Sequence, residues 1–199
     1  MSKTVDYYFS PMSPWTYLGH ERFAQMAKKY GATVGVKPVD YGRIFPLSGG
    51  LPLAKRAPQR QKYRLVELER WRKHLGLPLT LQPKFFPYDT GLATLLIIAA
   101  RRQGEQAAMR LAGAILRRCW AEEQNMADET ALAAAARGAG LDARALFAAA
   151  NKADIRADYE AFTDEAIARD VFGAPTYVYD GELFWGQDRL DFLERALAR

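Results

Sequence analysis

The chain of 199 residues is 49% hydrophobic and 26% charged, the balance of an ordinary globular protein able to bury a core. Its net charge of +5 comes from Lys and Arg interleaved with Asp and Glu, as over Gln59–His74. This excludes the concentrated basic stripe of a nucleic-acid face and leaves a mild attraction for anionic small molecules. The single cysteine, Cys119, excludes an intrachain disulfide and a cysteine-built metal centre.

The start, Met1 to Asp6, lacks the charged-then-apolar pattern of a secretion signal. Thr4 to Phe9 is β-branched and aromatic, which predicts a strand. Ser10-Pro11-Met12-Ser13-Pro14 breaks it, and Trp15 to Tyr30 carries helical periodicity, with Leu18, Phe23 and Met26 on one side. Pro14 suits a first helical turn, Ser13 an N-cap and Gly31 a stop. Thr33 to Val39 predicts a second strand.

From about Gln59 to Arg169 the chain is helical in character, entered through the Pro/Gly-rich stretch Pro46 to Pro58. Tyr63–Leu75 is amphipathic, Thr90–Arg102 is apolar enough to be buried, and Gln106–Ala121 repeats apolar residues at helical spacing. Asp128 and Asp142 predict N-caps, with Gly138 and Gly140 as stops between them. The most apolar stretch, Leu92–Ala100, is too short to span a bilayer, so no membrane association and a cytoplasmic location are expected. The end returns to β structure. Pro175–Tyr179, a turn at Asp180-Gly181 and Leu183–Trp185 predict a hairpin, followed by a helix over Arg189–Ala198.

The layout is βαβ, a helical block, then ββα. It predicts an α/β, thioredoxin-like fold with a large all-helical insertion. The thioredoxin-like part is discontinuous, residues 1–41 and 156–199, and residues 42–155 are the inserted helical domain.

Three places carry possible chemistry. Ser13 sits at a strand-to-helix junction, where unpaired N–H groups and the helix dipole hold an anion such as a thiolate. A serine hydroxyl can donate a hydrogen bond to a thiolate but cannot form a disulfide with it; on local sequence alone, Ser13 reads as a plain helix cap. Phe172-Gly173-Ala174-Pro175-Thr176 precedes a strand. A cis Pro175 would aim the Ala174 N–H and C=O sideways for an extended backbone to pair with, and an ordinary trans proline entering a strand is the alternative. In Trp185-Gly186-Gln187-Asp188-Arg189, Gly186 permits a sharp turn. Asp188 either caps the last helix or, with nearby N–H groups, binds the two charges of an amino-acid terminus.

The spacing of these three places resembles one family, the 2-hydroxychromene-2-carboxylate isomerases and the related kappa-class glutathione transferases, within the thioredoxin-like disulfide oxidoreductase superfamily. The resemblance is carried by Tyr8-Phe9-Ser10-Pro11-Met12-Ser13-Pro14-Trp15-Thr16-Tyr17-Leu18-Gly19, Leu68-Glu69-Arg70-Trp71, Val171 to Thr176 and Gly181 to Leu190. It implies a glutathione-dependent isomerase of 2-hydroxychromene-2-carboxylate or trans-o-hydroxybenzylidenepyruvate type, acting in aromatic degradation as a homodimer. Ser13 would activate the glutathione thiol. Ala174 would pair with the cysteinyl backbone beside Pro175, while Trp185, Gly186, Gln187 and Asp188 would grip the γ-glutamyl end. The partner would be a small aromatic carboxylate or another electrophilic small molecule.

The substrate half departs from the family. Its members carry a lysine after the second strand; here Arg43-Ile44-Phe45-Pro46 offers Arg43 and Phe45. Their asparagine falls near Gly50 or Ala54 and is absent, and Phe85 is the match for their tyrosine. Lys55, Arg56 and Arg60 could supply the missing cation. The rival readings are a kappa-like transferase conjugating small electrophiles, and a non-catalytic glutathione- or peptide-binding module. A dithiol oxidoreductase is excluded by the isolation of Cys119. His20 reads as a surface or packing residue.

Overall fold

The computed structural model describes residues 3–199, so the first two residues of the expected 1–41 segment and of the Met1–Asp6 stretch lie outside the described residues. The strands are β1 (Thr4–Phe9), β2 (Thr33–Pro38), β3 (Thr176–Tyr179) and β4 (Glu182–Trp185). They form one sheet in the order β2-β1-β3-β4. β1 and β2 run parallel, joined by α1 (Pro14–Lys29), while β1–β3 and β3–β4 are antiparallel. All four come from the two ends of the chain, as the βαβ and ββα readings predict, and the described residues between β2 and β3 are helices and connections.

The alternation of β1 decides what each face buries. Tyr7 and Phe9 point into the main core, where Tyr7 stacks on Phe9 at 4.5 Å and on Tyr177 at 5.3 Å between ring centroids. Tyr8 points to the opposite face and packs with Val39, Tyr41, Ile44, Ala166 and Val178. Main-core packing also takes in α4 (Gly91–Arg101), whose Ala93 to Ala100 are all buried, and α5 (Glu105–Trp120). A helix apolar all round needs cover on all sides, and the neighbouring helices give it.

Local signals set most boundaries. Asp128 Oδ1 accepts from the Ala131 N–H at 2.9 Å to start α6 (Glu129–Gly138), and Asp142 Oδ1 from Ala145 at 3.1 Å to start α7 (Ala143–Ala150). Asp180 and Gly181 have φ of 50° and 79°, the left-handed pair that a two-residue hairpin turn requires.

Two places differ from expectation. α2 (Tyr41–Ser48) occupies a stretch with no predicted helix: Asp40 caps it through Gly42 N–H at 2.7 Å, and Pro46 sits near its end, where only one backbone bond is lost. α3 runs Pro58–Leu75, beginning one residue before the helical character expected from Gln59, with Pro58 in its first turn. The expected division at 155/156 falls inside α8 (Ala153–Ala168), which continues unbroken across it. No described helix is long and apolar enough to cross a membrane.

Candidate active site

The site begins where β1 hands over to α1. Ser13 has the extended backbone of an N-cap, and its Oγ accepts from the Thr16 N–H at 3.2 Å. The cap uses a lone pair of the hydroxyl and leaves its proton free to be donated. Pro14 brings no N–H to the first turn, and the Trp15 N–H has no partner among the described residues. A donor hydroxyl, a free backbone N–H and the positive end of a 16-residue helix therefore meet at one point. The loop before it is held by the Tyr88 hydroxyl, which donates to Pro11 O at 2.9 Å.

The second wall is the turn before β3. The Ala174–Pro175 bond is cis. The Gly173 carbonyl accepts from the Tyr41 hydroxyl at 2.9 Å and from Thr176 Oγ1 at 2.7 Å, which fixes the turn from both sides. The Ala174 N–H and C=O have no partner among the described residues, so a short piece of sheet edge is left open. Trp185, from β4, lies over this turn: it meets Phe172 edge-on at 4.6 Å, and a Cβ on Gly173 would stand 2.3 Å from its Nε1. Only glycine fits beneath the indole.

Ser13, Trp15, Ala174 and Trp185 line one cleft of about 570 Å³. Phe45, Phe86, Arg56, Arg60 and Arg64 line its other side, supplied by α2, α3 and the connections around them. A second hollow of about 480 Å³ between α6 and α7 is a shallow surface groove with no such convergence.

Of the residues singled out from sequence, the fold brings Ser13, Ala174, Trp185, Phe45, Arg56 and Arg60 to this cleft. Pro175 is buried behind Ala174. Others lie elsewhere. Arg43 is held outside by Glu160 and Asp164, each at 2.6 Å, and so ties α2 to α8. Lys55 belongs to the 3₁₀ turn Leu53–Lys55; residues three apart eclipse in such a turn, so Leu53 and Arg56 face the cleft and Lys55 is out of step. Phe85 is exposed against Lys84, while its neighbour Phe86 turns inward at the Pro83 turn and packs on Trp120.

Gln187 is 2% exposed, with Oε1 accepting from Arg22 at 2.9 Å, so its amide oxygen is held by α1 and the residue does not line the cleft. Asp188 does not cap the last helix, α9 (Leu190–Leu197). Residues Gln187–Arg189 form a 3₁₀ turn instead, and the Asp188 carboxylate folds back over Gly186, 2.4 Å from where a Cβ would be. Gly186, at φ 106°, makes that turn possible.

Residues the sequence reading passed over do the positioning. Tyr41 and Tyr88 fix the two loops, and Arg22 holds the turn at Gln187. Arg64, also passed over, stands one helical turn after Arg60 on α3, a spacing visible in the sequence.

His20, on α1, is buried against α5 and β1. Its Nε2 lies 3.0 Å from the Met109 carbonyl, an acceptor, so the proton is on Nε2, and Nδ1 accepts from the Tyr7 hydroxyl at 3.2 Å. Burial lowers its pKa and keeps the ring neutral. It is a packing residue. Burial also pushes the Cys119 thiol up to about 12, so it has no thiolate to offer at neutral pH.

The DSBA-like thioredoxin domain family matches residues 4–198. The 2-hydroxychromene-2-carboxylate isomerase of Sphingobium xenophagum is 31% identical over 198 residues, spanning 99% of each chain. Glutathione S-transferase kappa 1 of Caenorhabditis elegans is 26% identical over 130 residues, 63% of this chain and 57% of that one. A solved 2-hydroxychromene-2-carboxylate isomerase superposes with a TM-score of 0.83 at 29% identity, covering 98% of this chain and 95% of that one. Matched along almost its whole length, the chain belongs to the DSBA-like thioredoxin domain family and, within it, to the family of the 2-hydroxychromene-2-carboxylate isomerases.

Proposed function

We propose that this protein is a glutathione-dependent isomerase acting on a carbon–carbon double bond conjugated to a carbonyl, of the 2-hydroxychromene-2-carboxylate and trans-o-hydroxybenzylidenepyruvate type. One observation carries it: the free donor of Ser13 at the α1 N-terminus and the open backbone of Ala174 face a single cleft. These groups fit a small thiol peptide. Ala174 N–H and C=O would pair with the cysteinyl backbone in the manner of an added strand, and Trp185 would cover it. The sulfur would then fall to Ser13 and the Trp15 N–H.

Glutathione, when bound, supplies a thiolate that adds reversibly to the conjugated double bond, so that the bond turns single and can rotate. The residues of the chain prepare that chemistry. A free thiol with a pKa of about 8.5 is mostly protonated at neutral pH. The Ser13 hydroxyl and the helix dipole stabilise its anion without competing for it, since serine offers no sulfur for a disulfide. Phe45 and Phe86 provide apolar walls for a planar substrate and keep water from the reacting bond. A cytoplasmic location fits the same chemistry, since glutathione stays a free thiol there.

The test is a spectrophotometric assay of trans-o-hydroxybenzylidenepyruvate with and without glutathione, together with a free-thiol count at the end. The expected result is conversion that requires glutathione and consumes none. A stable thioether with loss of thiol would mean conjugation of the kappa kind, and binding without turnover would mean a non-catalytic module.

A further inference from the structure

Arg56, Arg60 and Arg64 line the cleft opposite Ser13 and Ala174, and among the described residues none of them is paired with a carboxylate. Arg56 Nε is occupied by the Leu51 carbonyl at 2.8 Å. Arg60 and Arg64 sit four residues apart on α3, a like-charge spacing that costs helix stability. The helix has acids that could have relieved it, but they are engaged elsewhere: Glu67 with Arg70 at 2.6 Å, Glu69 with Arg72 at 2.6 Å and Lys73 at 2.9 Å.

Arg64 is the unusual one. Its Nη2 is buried and has no hydrogen-bond partner. Its guanidinium stands 5.3 Å from the Phe86 ring centroid and 5.7 Å from that of Trp120, and the two rings lie 4.9 Å apart. Aromatic neighbours on that scale favour the charged group without giving it an acceptor. The Trp120 Nε1–H beside it is likewise buried and unpartnered, so this corner holds donors and lacks acceptors. Burial, and then the charge of Arg56, bring the Arg64 pKa down to about 10, which still leaves it a cation at neutral pH.

We propose that Arg64, seconded by Arg60, anchors a carboxylate of the electrophilic second substrate and makes the cleft selective for planar anions over their neutral analogues. A planar fork with a buried unpaired donor is matched by a two-oxygen acceptor, and the apolar walls of Phe45 and Phe86 suit the unsaturated body that carries it. The proposal rests on the reading that the thiol cofactor takes the Ser13–Ala174 side. The same carboxylate chemistry is available from the glycyl end of glutathione, and the experiment separates the two sources.

Calorimetric titration of the full chain uses trans-cinnamate and neutral trans-cinnamamide as probes, with and without S-methylglutathione. The wild type should bind the carboxylate roughly tenfold to a hundredfold more tightly than the amide, the loss expected for one charge-assisted hydrogen-bond pair. Arg64→Gln should erase that preference and leave S-methylglutathione binding unchanged, while Arg64→Lys should keep part of it. Equal binding of acid and amide by the wild type overturns the proposal with no variant needed. So does a preference that survives in Arg64→Gln. If Arg64→Gln weakens S-methylglutathione but not its glycyl amide, the carboxylate belongs to the cofactor and the substrate assignment falls. A wild type that ignores S-methylglutathione, yet loses its cinnamate preference in Arg64→Gln, removes the glutathione reading and upholds the anion anchor.

Discussion

Replacing Ser13 by alanine removes two interactions, and they can be measured apart. The first is the cap: Ser13 Oγ satisfies the Thr16 N–H, and losing such a cap costs about 1 kcal/mol of stability. The second is the hydroxyl proton, which the cap leaves free for a bound thiolate; a hydrogen bond to a charged group contributes roughly 1.5–3 kcal/mol. Its loss should raise the pKa of bound glutathione by about one to two units and slow turnover about tenfold to a hundredfold below that pKa. Ser13→Asp separates the effects. An aspartate caps as well as serine and is favoured by the helix dipole, yet it offers no proton and repels a thiolate. Stability should therefore fall in Ser13→Ala and recover in Ser13→Asp, while activity falls in the first and falls further in the second. Thermal unfolding reads one quantity; thiolate ultraviolet absorbance against pH, with isomerase rate, reads the other. If activity merely tracked stability through the three proteins, or if Ser13→Ala kept its rate and thiolate titration, Ser13 would be a helix cap and nothing more.

The buried His20 should make stability pH-dependent. Its folded pKa lies below the ordinary value of about 6.5, so the unfolded chain takes up the proton first. Stability is full above that pH and falls as pH drops, by at most about 1.4 kcal/mol per unit, until the folded ring titrates. Denaturant unfolding between pH 7 and 5 should show this slope in the wild type and a flatter one in His20→Asn; equal slopes would contradict it. At Gly19 an added Cβ would stand 2.7 Å from Gln187 Cβ and 3.0 Å from the Tyr177 hydroxyl. Gly19→Ala should cost about 1–3 kcal/mol, several degrees of Tm, because the Gly186–Asp188 turn must shift to admit the methyl group; an unchanged Tm would show that the turn yields freely. Cys119, buried with its thiol pKa near 12, should resist alkylation in the native protein and react only on unfolding, as mass spectrometry can check.

The sequence alone determined the elements that rest on local physics. A β-branched and aromatic run makes β1, Ser13 and Pro14 open α1, and Asp128 and Asp142 cap their helices because an oxygen three residues upstream can reach the orphan N–H wherever the chain goes next. Asp180-Gly181 turns the hairpin for the same kind of reason. Both groups on which the proposed function rests, at Ser13 and Ala174, lie at such local junctions and were legible with them. The charged side of the cleft was not. Arg43, Lys55, Arg56, Arg60 and Arg64 are alike as letters, and a long cationic side chain has no local rule for its direction. Only the packed structure decided among them. α8 draws Arg43 away through Glu160 and Asp164, the eclipsed 3₁₀ turn leaves Lys55 outside, and Phe86 with Trp120, far off in the chain, holds Arg64 at the cleft. Gln187 shows the same limit from the other side. Its place in the turn was readable, but Arg22, far off in the chain, claimed its amide oxygen, because a buried acceptor must find a partner and takes the one the tertiary structure offers.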